Sequence, residues 1–177
     1  MSLELFTDTS PITVGIDPGQ ETTGIAIWNN KQMKFTDLMT KSFWETIKWM
    51  NQLKESRKTN SKGLVKHVQF WIENPYLNKP VFPIASETQM FKDAIIEQDE
   101  ELQAKALRMF SRRAQNVGMN KELAKKMIEI ARMKGFVVKE IRPSKSKINA
   151  EDFRQKTGWI GKGSQHARDA ACLVFPI

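Results

Sequence analysis

The segment Ile12-Thr-Val-Gly15-Ile-Asp17-Pro-Gly19-Gln-Glu-Thr-Thr-Gly24-Ile-Ala-Ile-Trp28 constrains the fold more than any other stretch of the chain. Both of its ends are apolar and β-branched, as strands require. Between them Asp-Pro-Gly is turn chemistry: Asp17 bonds local backbone, Pro18 presets φ, and Gly19 is expected to take positive φ. The chain therefore leaves one strand on a carboxylate and returns at Gly24 into a second. Asp17 is left at the end of a strand, pointing off a sheet.

Two further acids recur in comparable settings. His67-Val-Gln-Phe-Trp-Ile72 is a short apolar, aromatic run that ends on Glu73, and Asn74-Pro75 stops it. Functional groups of open α/β sheets collect at such C-terminal strand ends. The third acid lies in Ser164-Gln-His166-Ala-Arg-Asp169-Ala-Ala-Cys-Leu-Val-Phe175, which predicts a helix packed on the sheet. There the i, i+3 spacing puts His166 and Asp169 on one helical face. Taken singly, each acid also has a purely structural explanation, as turn residue, cap or partner of the helix dipole.

Taken together and in this order, the hairpin Gly15-Ile-Asp17-Pro-Gly19 with Gly24, the strand end Ile72-Glu73 and the closing His166-Ala-Arg-Asp169-Ala-Ala resemble the RuvC-type Holliday-junction resolvases, a branch of the ribonuclease H-like nucleases. The resemblance spans residues 12–174. It implies an α/β fold with a mixed five-stranded sheet and helices on both faces. It implies catalytic and metal-ligating roles for Asp17, Glu73, His166 and Asp169, with Asp17 bridging two metal ions. Many members carry Asp where this chain has His166, which leaves the metal role of that residue open. A two-fold homodimer acting on branched DNA, specifically a four-way junction, is implied as well. The modest size suits a bacteriophage member.

The chemistry explains why acids are needed. Phosphodiester hydrolysis must activate a water and stabilise charge on the attacking and departing oxygens, and two Mg²⁺ ions roughly 4 Å apart do both. Mg²⁺ prefers hard oxygen ligands and keeps several waters, so a few carboxylates suffice. An imidazole nitrogen at His166 suits Mn²⁺ at least as well, so Mn²⁺ is expected to substitute. Converging carboxylates repel one another and raise one another's pKa when no cation is present. The metal-free site is therefore expected to be a locally destabilised spot.

Charge supports a polyanionic partner. The net charge is +8, and no Lys or Arg precedes Lys31, whereas the later half is crowded with them. Basic residues around an acidic centre hold phosphates beside bound cations. Arg112, Arg113, Arg142, Lys145 and Lys147 are the candidate DNA-binding cations, the last three in Arg142-Pro-Ser-Lys145-Ser-Lys147 after the fifth strand. The family places a lysine in that region. Tyr76, three residues beyond Glu73, falls where related resolvases carry an aromatic near the branch point, with Phe82 as competitor.

A single 177-residue domain is expected, with strands over 12–16, 24–29, 32–37, 67–72 and 136–141. Helices are expected over 42–57, opened by a Ser42/Glu45 capping box, over 87–113 as a helical extension, over 119–134 after a break at 116–120, from 149, and from about 165. The lone Cys172 rules out an intrachain disulfide and is expected to be a small buried hydrophobe. With no signal peptide or apolar span, a cytoplasmic protein of a bacterial or phage-infected cell is expected, with no membrane partner. Actin-like ATPases and sugar kinases open with a similar hairpin but close two such domains over ATP, so no nucleotide cofactor is expected. The alternatives within reach are a ribonuclease H-like nuclease acting on RNA or flap DNA, and a catalytically inactive nucleic-acid-binding module.

Overall fold

Along residues 12–17 large apolar side chains alternate with small or acidic ones, so one face of the strand suits a core and the other suits something that comes very close. In the computed structural model, which describes residues 12–59, 68–78, 100–144 and 147–175, this segment is β1 (Ile12–Asp17). It pairs antiparallel with β2 (Thr23–Asn29), and β2 pairs antiparallel with β3 (Lys34–Lys41). On its other side β1 pairs parallel with β4 (Val68–Glu73), which pairs parallel with β5 (Val137–Ile141). The five strands lie in the order β3-β2-β1-β4-β5. Helices α1 (Phe43–Thr59), α2 (Glu100–Met133), α3 (Ala150–Thr157) and α4 (Gln165–Val174) complete the described elements.

Each face of the sheet has its own core. On one face Val14, Ile16, Ile25, Val68, Phe70 and Ile72 pack against Met50 of α1 and Met127, Ile128 and Ala131 of α2. On the other, Ala26 and Trp28 of β2, Phe35 and Leu38 of β3, and partly buried Trp71 of β4 pack with Phe153 of α3 and with Ala167, Ala170 and Ala171 of α4. The two-residue period of the strands divides these sets, because alternate side chains point to opposite faces. The result is the expected α/β architecture, a mixed five-stranded sheet covered by helices on both sides.

Local signals set the helix starts. Glu45 accepts from the backbone N–H and the hydroxyl of Ser42 at 2.8 and 2.7 Å, and the Glu45 N–H donates to Ser42 Oγ at 3.3 Å, which is a capping box. Asn149 caps α3 and Ser164 caps α4 through their side-chain oxygens. Gly158, at φ 69°, closes α3 in the left-handed conformation.

Three expectations from sequence are corrected. Residues 116–120 do not break a helix: α2 runs unbroken for 34 residues, and Ala124, Met127, Ile128 and Ala131 anchor its second half at helical spacing. One Gly at position 118 costs about 1 kcal/mol of helix propensity, too little to interrupt a segment held by tertiary packing. The start of the proposed extension, residues 87–99, lies outside the described residues, as does Phe82. Gly19 does not take positive φ, a conformation confined among the described residues to Met33, Gly135 and Gly158. β3 covers Lys34–Lys41 rather than the expected 32–37.

The closest packing is that of α4 on β1 and β2. A Cβ at Gly15 would lie 2.0 Å from the Ala170 carbonyl oxygen, and one at Gly24 would lie 1.9 Å from that of His166. Neither backbone can yield without moving the helix. Gly24→Ala is expected to destabilise the protein by at least about 3 kcal/mol, the upper end for overpacking, in urea unfolding. Gly118→Ala, whose Cβ meets nothing within 4 Å, should be neutral or stabilise by up to about 1 kcal/mol. A neutral Gly24→Ala would show that α4 does not sit where it is described.

Candidate active site

Parallel pairing of β1 and β4 aligns their C-terminal ends. Ile16 lies opposite Ile72, so the next residues, Asp17 and Glu73, leave the sheet side by side. By the same alternation both belong to the face that carries Gly15 and α4. The glycines then let α4 descend until His166 and Asp169 reach that edge. His166 Nδ1 lies 2.7 Å from Asp17 Oδ2, and ligand atoms of Asp17, His166 and Asp169 all fall within 4.8 Å of one another. Glu73 stands outside that set of three but lines the same cavity of about 250 Å³. Gly19 serves approach rather than turn geometry, since a Cβ there would meet the Thr22 carbonyl oxygen at 2.5 Å and the His166 ring at 3.3 Å.

The supporting contacts hold these groups in place. The Asn74 N–H donates to the Ile141 carbonyl at 2.8 Å, which ties the ends of β4 and β5 together just past Glu73. The Asn74 side chain donates to Glu140, which also accepts from Arg132 Nη2 at 2.7 Å. These two donors hold the Glu140 carboxyl below its usual range, the Asn74 bond contributing most. On α4, Gln165 Nε2 donates to Asp169 Oδ1 at 2.6 Å. Ser164, the cap of α4, is joined to Thr40 of β3 through a 2.6 Å hydroxyl contact, so the helix start is fixed to the sheet edge.

Burial dominates the electrostatics. Asp17 is only 7% exposed, and desolvation raises its pKa despite the His166 hydrogen bond that lowers it. Desolvation, with the charges of Asp17 and Asp169 added, pushes Glu73 up to about 7. Burial likewise pushes the Cys172 thiol up to about 11. Cys172 is half-buried on the cavity wall, which corrects the expectation of a fully buried residue. Lys147 Nζ lies 3.5 Å from Asp169 Oδ2, but with the lysine side chain 70% exposed the pair offsets little of the acidic repulsion. A cavity that concentrates carboxylate oxygens with one imidazole can bind a divalent metal ion.

The other sequence candidates fall in different places. Arg142 and Lys147 line the cavity. Tyr76 is in the 3-10 turn Pro75–Leu77 at the end of β4, half exposed, with its hydroxyl bonded to Glu122 and Lys121 Nζ 5.2 Å from its ring centre. Arg112 is exposed on α2, and Arg113 follows it on the same helix with its side chain outside the described residues. Lys145 also lies outside them. Asn120 is a cavity residue that sequence missed, because 116–120 read as a break. Only the uninterrupted helix places it there. The roles of Gln165 and Arg168 carried no signal of their own beyond adjacency to the His166/Asp169 pair.

No protein-family model and no curated protein matches the chain. Among solved structures, "T. thermophilus RuvC in complex with Holliday junction substrate" is similar at 14% identity, covering 92% of this chain and 88% of that one, with a TM-score of 0.45. Among the described residues no helix is long and apolar enough to cross a membrane.

The raised pKa values fix the sign of a pH effect. Asp17 and Glu73 hold protons in the folded state that the unfolded chain has already lost, so metal-free stability falls as pH rises, for Glu73 between about 4.5 and about 7. Glu73→Gln should flatten this decline and raise the urea midpoint at pH 7.5. Urea titrations in EDTA from pH 4.5 to 8 measure it, and an unaltered slope in the variant would remove Glu73 from the charged cluster.

Proposed function

We propose that this chain is a metal-dependent, structure-specific endodeoxyribonuclease that resolves four-way DNA junctions by paired nicks, with residues 1–177 forming one nuclease domain. The observation that carries the proposal is the convergence of ligand atoms from Asp17, His166 and Asp169 within 4.8 Å, from two segments far apart in sequence. Glu73 on the same cavity wall supplies the fourth group. The donor set fits Mg²⁺, and the imidazole lets Mn²⁺ substitute. Bound as a pair, such ions supply water activation and charge stabilisation on the two oxygens of the scissile bond.

The chain's own residues do the rest. Asp17 of β1 and Asp169 of α4 present carboxylate oxygens within 4.8 Å of one another, and Glu73 adds a third carboxylate at the end of β4. His166 Nδ1 is in hydrogen-bond contact with Asp17 Oδ2, which orients both side chains. Arg142, Lys145 and Lys147 receive the phosphates flanking the cut, with Lys147 already at the cavity. Arg112 and Arg113, both in α2, are assigned further phosphate contacts. The half-exposed ring of Tyr76 offers a stacking surface to a base unpaired at the crossover.

Junction specificity and the homodimer follow from resemblance of the three motifs to the resolvases and from symmetry. A four-way junction has approximate two-fold symmetry, and two copies present equivalent sites for the two nicks. Exposed Met109 and Val117 on α2 give a second copy apolar surface to cover.

A synthetic four-way junction, a linear duplex, a flap and an RNA hairpin incubated with the protein in Mg²⁺ test the proposal. Symmetric nicks in the junction and little cutting of the duplex are expected, with Mn²⁺ supporting turnover. Preferred cutting of the flap or the RNA would transfer the same centre to another substrate. Asp17→Asn and Asp169→Asn should reduce cleavage to background while junction binding persists. Cutting at the wild-type rate by either variant would refute the assignment.

A further inference from the structure

Asp169 is held by a side-chain relay on its own helix. Gln165, one turn earlier, donates from Nε2 to Asp169 Oδ1 at 2.6 Å and to the Ile148 carbonyl at 3.3 Å. Arg168 Nη2 donates to Gln165 Oε1 at 2.7 Å, while its Nη1 donates to the Gly163 carbonyl at 2.6 Å and its Nε to the Ile148 carbonyl at 3.5 Å. A guanidinium can only donate, so the amide oxygen of Gln165 must face it. That fixes the amide orientation, and the NH₂ group is turned onto Asp169. Both residues are half-buried, and the carbonyls they grip, at positions 148 and 163, lie on either side of α3.

We propose that Gln165, oriented by Arg168, is a positioning residue for divalent-cation binding: it fixes the Asp169 carboxylate through Oδ1 and turns Oδ2, which faces only the exposed Lys147 ammonium at 3.5 Å among the contacts described, toward the cavity where the ion would bind. This rests on the proposed metal centre and adds to it the device that presets one ligand. A carboxylate without such a partner samples several rotamers, and each one lost on binding weakens the ion's hold. Hydrogen bonds behind a ligand remove that cost, and such contacts typically contribute about 10–100-fold in metal affinity. Arg168 acts only through Gln165. It ties the amide to the two loop carbonyls, so its effect on the ion vanishes once Gln165 is gone.

Calorimetric titration of Mn²⁺ into the full chain without DNA tests this, with urea midpoints taken on the same samples. Gln165→Met keeps the length and volume of the side chain, and it should weaken Mn²⁺ binding by about 10–100-fold. Arg168→Met should weaken it by less, and the double variant should bind no more weakly than Gln165→Met alone. Arg168→Lys keeps the charge but not the planar fork, so it should fall between wild type and Arg168→Met. It carries the same test should Gln165→Met fail to fold. A shifted urea midpoint with unchanged Mn²⁺ affinity would mean that Gln165 is merely structural, and the proposal would fall. Additive losses would overturn the relay from Arg168. A wild-type chain that binds no Mn²⁺ would overturn the metal centre itself, and the relay with it.

Discussion

The flush contact between α4 and the backbones of β1 and β2 is the constraint on which the site depends. Helices normally sit on sheets with a layer of side chains between them. Here Gly15 and Gly24 remove that layer, and the matching helix face is the small stripe Ala167, Ala170, Ala171 and Val174. Glycine inside a strand weakens it, so its presence at two positions on the same face of adjacent strands marks a close approach of another backbone. The return on that weakness is positional. With the helix lowered onto the sheet, His166 and Asp169 reach a carboxylate that the hairpin has already placed at the strand edge.

A second constraint is electrostatic. Asp17 is buried, Glu73 half-buried, and Asp169 adds its charge to both, so desolvation and mutual repulsion favour protonated forms. Nothing in the fold requires acids at these points. Neutral side chains at 17 or 73 would avoid the desolvation and the repulsion, and groups that destabilise the protein carrying them are characteristic of functional sites. A divalent cation reverses the balance by converting repulsion into attraction. The basic rim at Arg142 and Lys147 is too exposed to do so alone.

Sequence revealed the elements that rest on short-range chemistry. The hairpin at residues 12–28, the Ser42/Glu45 capping box, the strand stopped by Asn74-Pro75 and the helix opened by Ser164 all follow from neighbouring residues, and the structure contains each. The clustering of Asp17 with His166 and Asp169 was legible only through the resemblance that the three motifs carry in their order, since no local pattern places one segment beside another. What sequence could not supply depends on distant packing. Gly118 reads as a breaker until the buried stripe from Ala124 to Ala131 is known to hold α2. Asn120 then reaches the cavity from a stretch that looked like a loop. Gly19 looks like a turn residue, and its use lies instead in the space it leaves for the His166 ring, 147 positions away. The Gln165–Arg168 relay depends on loop carbonyls whose positions no local pattern encodes.

The central claim is that folding gathers Asp17, Glu73, His166 and Asp169 into one cation-binding cavity. Anomalous scattering from crystals of the protein grown in Mn²⁺ tests it most directly. The account predicts manganese peaks among Asp17, His166 and Asp169, with Glu73 on the wall of the same cavity. A map with manganese elsewhere on the molecule and none in this cavity would contradict it.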